Sequence, residues 1–406
     1  MREVKKMNAV PEYVMTVLKT VRQAGFSTYL VGGAVRDIIM GRTPTDYDIA
    51  SSALPEQIMS LFAHTIPTGI KHGTVTVMTD SGGIEITTFR SDGAYTDLRH
   101  PDSVSFVGDI NEDLMRRDFT VNAIAFDGEN TVDPTGGISD IKNRIIRAVG
   151  DPEKRFSEDA LRILRCFRFA SQLSFGIEPR TLDAAIKLSD TLQSVSIERI
   201  TTETIKLLCG KDPSAASPLF LSGAMRRFGF PSSEVPAVLS RLTDEPPMRL
   251  AAMIYLTERE RAEAGYAGNI KTGVGLRLSN AMVSEADALL ELMTLGLPSS
   301  VKAIKQMLRL AEDERLVVTA CRALCTLSEL SAEDTDGLIR SIETVARSEE
   351  PYKISMLKIG GKELSDIGFS GKSIGIALCR LLDICIDRPE MNTEETLLGC
   401  AEKMKH

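Results

Sequence analysis

Asp46 and Asp48 stand one residue apart, shortly after a Gly32-Gly33 pair and an arginine, Arg36, in the stretch YLVGGAVRDIIMGRTPTDYDIASS from Tyr29 to Ser52. The apolar run Tyr29 to Val31 predicts a strand that ends in the two glycines, and Ala34 to Met40 predicts the start of a helix. A strand, a glycine turn and a helix start together point backbone N–H groups at a phosphate. Arg36 adds a fixed positive fork just inside that helix. On the strand expected here, residues two apart share a face, so Asp46 and Asp48 project side by side, and two close carboxylates repel unless a cation sits between them. Magnesium joins carboxylates to substrate phosphates. Gly-Gly alone is usually a turn and Asp-x-Asp alone a solvated strand end. In this order and spacing they describe a nucleotidyl-transfer site.

The elements that would position these groups are legible on either side. Pro11 to Ala24 carries Val14, Val17, Leu18 and Val21 at helical period, and Gly25 ends that helix. Pro55 to Phe62 predicts a helix with proline in its tolerated first turn. Thr74 to Val77 alternates as a strand, Ser81-Gly82-Gly83 reads as a tight turn, and Ile84 to Phe89 reads as the hairpin partner. Glu85 lies between two β-branched apolar residues, a position that alternation alone gives to solvent. Ser91 to Asn111 is long, polar and broken by Gly and Pro, which predicts a mobile loop beside the site. From Arg147 the strand signal fades. Phe156 to Ser171, FSEDALRILRCFRFAS, predicts one helix with Ala160, Ile163, Leu164 and Phe167 on one face. Asp159, Arg162 and Arg165 fall away from that face, as a salt-bridged surface or an RNA-phosphate stripe would. Beyond Lys211 helical segments are expected at Ala216–Phe228, Ser233–Leu242, Pro247–Glu258, Ala281–Leu295, Ser300–Glu312, Arg315–Leu330 and Glu333–Arg347.

Composition narrows the function classes. At 406 residues there is chain enough for two or more domains, and 43% apolar with 26% charged residues suits a folded protein. A net charge of −8 argues against a uniformly basic nucleic-acid coat but leaves room for a local basic groove. The seven cysteines form no Cys-x-x-Cys pair, so buried free thiols in a reducing, cytoplasmic setting are expected. The four histidines make no metal-ligand spacing, and no adjacent His-Asp pair marks a phosphohydrolase. A charged N-terminus running into an amphipathic helix is not a signal peptide, and no apolar stretch reaches membrane-spanning length.

The motif from Gly32 to Asp48 resembles the signature of the nucleotidyltransferase superfamily that includes DNA polymerase beta. The longer string resembles the class II tRNA nucleotidyltransferases, the CCA-adding enzymes, and the bacterial poly(A) polymerases of that class. The resemblance is specific through Arg199 and looser beyond. It implies an α+β fold, with a mixed-sheet catalytic head at 1–146, a helical neck at 147–210, a body at 211–300 and a tail at 301–406. It implies template-independent addition of C, C and A to tRNA from CTP and ATP, with two Mg²⁺ on Asp46 and Asp48 and a further carboxylate, Glu85, from IEITTFR. The segment RRDFTVNAIAFD resembles the motif that reads the sugar, which gives Arg117 and Asp118 the choice of ribose, supported by Asn122. EDALR and the arginines after it resemble the protein template for the base. Cytosine and adenine offer an amino donor beside a ring-nitrogen acceptor, and uracil and guanine offer the reverse, so a carboxylate beside a guanidinium selects C and A. Asp159 would accept from the amino group and Arg162 would donate to the ring nitrogen. Arg165 would reach base or triphosphate, and Arg168 a nucleotide. Glu198 and Arg199 resemble a brace for the template helix.

The intact loop, with YTDLRHPDSVSF, resembles enzymes that complete the terminal adenosine. The last segment, with GFSGKSIG, resembles a tail that binds the tRNA elbow. A monomer or weak dimer and no membrane partner are expected. A poly(A) polymerase shares the head motifs, but its basic signature is absent where this chain reads TGIKHGTVTV. An enzyme adding only part of CCA would differ in the loop or a few head residues. A catalytically silent RNA-binding protein would have lost an aspartate of the pair. A small-molecule nucleotidyltransferase would lack the helical RNA-binding half.

Overall fold

In the computed structural model, residues 10–93, 104–265, 270 and 274–404 are described, and the chain divides into two compact units, one ending at Ala237 and one beginning at Val238. The first unit opens with α1 (Glu12–Gln23), which buries Val14, Val17, Leu18 and Val21 as their spacing dictates. Strand β1 (Thr28–Val31) follows, then α2 (Gly33–Ile39), β2 (Asp48–Ser51) and α3 (Pro55–Leu61), with Pro55 at the first helical position. The strands β3 (Thr65–Gly69), β4 (Thr74–Thr79) and β5 (Gly82–Thr88) complete an antiparallel meander. Thr79 pairs with Gly82, so the turn is Asp80-Ser81, one step ahead of the expected glycines. On β5, Ile84, Ile86 and Thr88 are buried while Glu85 is exposed, the alternation of a sheet with one wet face.

Part of the loop expected over Ser91–Asn111 is a strand pair, antiparallel β6 (Arg90–Asp92) and β7 (Val104–Phe106), formed by backbone hydrogen bonding that its polar composition did not signal; its residues 94–103 lie outside the described ones. Then come α4 (Ile110–Met115), β8 (Ala125–Phe126), β9 (Thr131–Val132) and α5 (Gly137–Asn143). The main sheet has the order β3-β4-β5-β2-β1-β8-β9, with β2–β5 its one parallel pairing. Val31, Ala50, Phe89, Ile110, Leu114, Ala123, Ala125 and Val149 form a core that ties the ends of β1 and β2 to α4.

The single helix expected over Phe156–Ser171 is two helices, α6 (Pro152–Glu158) and α7 (Leu161–Leu173), with Asp159 extended between them at φ −144°, ψ 106°. Asp159 Oδ1 accepts from the Leu161 N–H at 3.0 Å. An aspartate that satisfies a helix-start N–H interrupts a helix more readily than it continues one. Ala160, Ile163, Leu164 and Phe167 are nevertheless buried as expected. After α8 (Pro179–Lys187), α9 (Ile197–Leu208) packs on α7. Gly210 permits that approach, because a Cβ there would stand 1.9 Å from Ser171 Oγ.

Ala216–Phe228 and Ser233–Leu242 are not regular helices. A four-turn-residue break at Ser222–Met225, with Gly223 at φ +86°, separates Ser217–Leu221 from a short 3₁₀ turn at Arg226–Phe228, and only Ala237–Arg241 curls further on. The second unit carries the expected helices at Pro246–Leu256, Asn280–Thr294, Val301–Ala311, Glu314–Leu327 and Ala332–Ala346. Helices Gly361–Asp366, Lys372–Asp387 and Glu394–Lys403 close on Leu364, Leu381, Leu382 and Leu397. The fold is α+β. All seven cysteines are free thiols, and among the described residues no helix is long and apolar enough to cross a membrane.

Candidate active site

The sheet register assembles the first group of residues. Asp48 opens β2, pairs across β1 with Val31, the residue before Gly32, and pairs in parallel on its other side with Glu85. The two carboxylates therefore rise side by side next to the glycine turn. Asp46 lies two residues ahead of β2, exposed, with its Oδ2 accepting from Thr45 Oγ1 at 3.3 Å. The expectation that Asp46 and Asp48 share a strand face does not hold, because Asp46 comes from the lead-in loop before β2; the neighbour of Asp48 on that face is Glu85, through the parallel pairing. Desolvation by the surrounding head, then the Glu85 carboxylate, raise the pKa of Asp48; Arg117 opposes them and Asp46 adds a smaller push. Crowded carboxylates with oxygen donors only suit a hard divalent cation. Among the described residues no three His, Cys, Asp or Glu side chains are gathered closely enough to hold an ion by themselves.

Gly32 has φ +73°, and a Cβ there would lie 3.2 Å from Arg117 Nη1 and 3.9 Å from Asp48 Oδ2. The positive φ is what favours glycine here, and a Cβ would also press on the Arg117 guanidinium. Gly33 starts α2, which is only seven residues long. The Arg36 guanidinium is already engaged, donating to Asn122 Oδ1 at 2.7 Å and to both Asp37 oxygens at 3.0 Å. It holds Asn122 from the side of α2. Arg117 Nη2 donates to Asp113 Oδ2 at 3.1 Å, and Arg116 Nη2 to Asp113 Oδ1 at 2.6 Å. Asp113 is buried, and although burial opposes it, the two arginines hold its pKa below the usual carboxylate range. Sequence reasoning passed over Asp113, although its i, i+3 and i, i+4 spacing to the arginines on a helix was visible.

Asp118 is tied to α7. Its Oδ2 accepts from Arg165 Nε at 2.8 Å and from Nη2, and its Oδ1 accepts from the Phe119 N–H at 2.8 Å and Asn122 Nδ2 at 3.3 Å. Burial pushes the Asp118 pKa up, but the charge and hydrogen bonds of Arg165, with Asn122, bring it down to about 2. A folded-state pKa below the unfolded value of about 3.9 gives stability that is complete above that value and lost as pH falls toward 2. Asp118→Asn should therefore be less stable than wild type at pH 7 by on the order of 2 kcal/mol. The gap should shrink between about pH 4 and pH 2. Urea unfolding across that range measures it, and a pH-independent gap would contradict the assignment.

The base-reading candidates are braced as well. Asp159 Oδ2 accepts from Arg199 Nη2 at 2.7 Å. Arg162 Nη1 donates to Glu158 Oε2 at 2.5 Å and to the Arg155 carbonyl at 3.0 Å. Arg168 Nε and Glu203 Oε2 are 2.5 Å apart, both buried, in an ion contact whose N–H is not aligned as a hydrogen bond. Burial lowers the Arg168 pKa to about 10, against the pull of Glu203. Arg36, Arg165 and Arg168 all stand within 5.5 Å of the Phe169 ring centre. Glu203 carried no local signal in the sequence, because its partner Arg168 comes from another helix.

Residues 28–147 match the family "Poly A polymerase head domain", and residues 174–222 match "Probable RNA and SrmB- binding site of polymerase A". The crystal structure of a Bacillus stearothermophilus CCA-adding enzyme in complex with CTP superposes with a TM-score of 0.77 at 29% identity, covering 97% of this chain and 96% of that one. The CCA-adding enzyme of Levilactobacillus brevis is 51% identical over 203 residues, 50% of this chain and 51% of the relative. With the first curated relatives it matches, the chain aligns over about half of their length. The CCA-adding enzyme of Enterococcus faecalis, in contrast, aligns over 397 residues at 34% identity, 96% of this chain and 95% of the relative. Sequence likeness of that extent, on the same fold, makes this chain a member of the CCA-adding enzyme family.

Proposed function

We propose that the protein adds C, C and A to the 3′ end of tRNA, using CTP and ATP and no nucleic-acid template. The observation that carries this reading is the register that sets Asp48 beside Glu85 and next to the Gly32 turn. The relatives named above carry the name CCA-adding enzyme. One similar structure is described in complex with CTP and another, from Thermotoga maritima, in complex with tRNA. Asp46 and Asp48, with Glu85, would hold Mg²⁺ together with the nucleotide phosphates, and that ion would supply acidity to the attacking 3′-hydroxyl and charge compensation to the departing pyrophosphate.

The chain's own residues do the rest. The N–H groups at Gly32 and Gly33 face the triphosphate. Arg117, fixed by Asp113, lies against Gly32 and Asp48 and reads the ribose together with Asp118, while Arg36 holds Asn122 in support. Asp159 and Arg162 present an acceptor beside a donor to the base, and Arg168 holds the nucleotide end of α7. The first unit would supply a head at 1–146 and a neck at 147–210. The body at 211–300 and tail at 301–406 would hold tRNA from acceptor stem to elbow. The protein would work as a monomer or weak dimer.

Removing divalent ions should stop the reaction. With tRNA lacking its 3′ end, CTP and ATP, pyrophosphate release should match tRNA lengthening in Mg²⁺, fall to background in EDTA, and return when Mg²⁺ is restored. Lengthening that persists in EDTA, or that releases no pyrophosphate, would sink the reading.

A further inference from the structure

Resting on the reading of Asp118 as a sugar contact, we infer that Arg165 is the positioning residue for ribose choice. It acts through Asp118 rather than on the base or the triphosphate. The two residues are 47 positions apart and belong to different elements, Asp118 to the segment after α4 and Arg165 to α7. They meet as a two-pronged pair, Nε and Nη2 on the single oxygen Oδ2. A guanidinium held this way puts one edge of its fork on a single oxygen and pins Oδ2, while the Phe119 N–H fixes Oδ1. Burial works against the Arg165 charge, yet Asp118, Glu203 and Asp159 raise its pKa, so it stays a cation.

The four acceptor positions of Asp118 are then accounted for. Oδ2 is taken up by Arg165, and Oδ1 accepts from the Phe119 N–H at 2.8 Å and from Asn122 at 3.3 Å. The Asn122 bond is the longest of these, so it is the one a ribose hydroxyl can displace. A donor hydroxyl entering at Oδ1 replaces one hydrogen bond with another. A deoxyribose leaves that position to the weaker Asn122 bond and gains nothing. This selection requires that Oδ2 stay occupied. Without Arg165 only the Phe119 N–H and the Asn122 amide, both at Oδ1, hold the carboxylate, and Oδ2 can swing to water or draw Asn122 away from the position the ribose hydroxyl needs. Arg165 thus couples the helix that presents the base-reading residues to the group that reads the sugar.

The test compares two ratios of catalytic efficiency, CTP over dCTP and CTP over UTP, in wild type, Asp118→Ala, Arg165→Ala, Arg165→Lys and the double variant Asp118→Ala/Arg165→Ala. Circular dichroism melting would check that each is folded. Arg165→Ala should lower the CTP/dCTP ratio by roughly tenfold or more, a charged hydrogen bond's worth of selection, while the CTP/UTP ratio stays within about twofold. Arg165→Lys keeps the charge without the fork and should recover only part of the loss. The double variant should discriminate sugars no worse than Asp118→Ala alone, because both changes act on one contact. If Asp118→Ala collapses sugar choice and Arg165→Ala does not, the inference is overturned while the sugar reading stands. If Asp118→Ala itself leaves the CTP/dCTP ratio unchanged, both fall. A fall in CTP/UTP as large as the fall in CTP/dCTP on removing Arg165 would return Arg165 to the base. If Arg165→Ala does not fold, the Lys variant decides by the same two ratios.

Discussion

Asp48→Ala should slow nucleotide addition by about a thousandfold or more, since an ion and its charge stabilisation are worth several kcal/mol at the transition state. Affinity for tRNA should change little, because the proposed RNA-holding helices lie elsewhere in the chain. Asp48 sits between two neighbours in the sheet, Val31 and Glu85, and its raised pKa reflects desolvation and then Glu85. Removing its carboxylate relieves that repulsion, so the variant should fold at least as well as wild type. The loss is then chemical rather than structural. Asp46→Ala should lose activity to a similar degree, although Asp46 comes from a loop. Glu85→Gln should be impaired less, because it keeps a carbonyl donor at the same register position. Turnover by Asp48→Ala near the wild-type rate, with melting unchanged, would remove the carboxylates from the chemistry.

Changing Asp159 should alter base choice instead of rate alone. Cytosine and adenine place an amino donor where uracil and guanine place a carbonyl, and a carboxylate accepts from the first and repels the second. Each reversed contact costs about 1–3 kcal/mol, or roughly ten- to a hundredfold in the CTP/UTP ratio. Asp159 also accepts from Arg199 and from the Leu161 N–H at the start of α7, so Asp159→Ala removes a brace as well as a reader. Asp159→Asn separates these roles. Asparagine still accepts the Leu161 N–H, which preserves the helix start, but its amide can turn an N–H toward a carbonyl and so tolerate uracil. Both variants should lower the CTP/UTP ratio, with Asp159→Asn keeping the helix start but losing the Arg199 ion pair, and so costing less stability than Asp159→Ala. Arg162→Ala should act in the same direction. Asp48 variants should leave the ratio alone. A CTP/UTP ratio in Asp159→Asn equal to wild type would mean that this segment is only a brace.

What was legible in the sequence followed from short-range periodicity. The alternation around Glu85 and the apolar run before Gly32 placed the strands. The hydrophobic face of α7 was recovered residue by residue even though its helix is broken at Asp159. The break was missed because the apolar period runs through it, whereas the conformation is set by one aspartate finding a backbone N–H at 3.0 Å. The parallel pairing of β2 with β5, which brings Asp48 to Glu85, needs a crossover through three intervening elements and leaves no local trace. The same holds for the ion pairs that decide what each arginine can reach. Arg165 with Asp118, Arg199 with Asp159 and Arg168 with Glu203 are joined across 47, 40 and 35 residues. Helix-wheel reasoning puts these arginines on a polar face and stops there. Helices were expected over Ala216–Phe228 and Ser233–Leu242 from their apolar content, but Gly223 takes a positive φ and ends the first after Leu221, and only Ala237–Arg241 of the second curls.

The central claim is that this chain alone chooses C, then C, then A for a tRNA end. The most direct measurement supplies tRNA lacking its last three nucleotides, Mg²⁺, and each of the four labelled nucleotides singly and then CTP with ATP, and sequences the 3′ ends. CTP alone should add two residues and stop. ATP alone should add none to that tRNA and one to tRNA already ending in CC, and UTP and GTP should add none. CTP with ATP should yield CCA and nothing longer. A run of adenosines from ATP alone, or uridine added as readily as cytidine, would contradict the account.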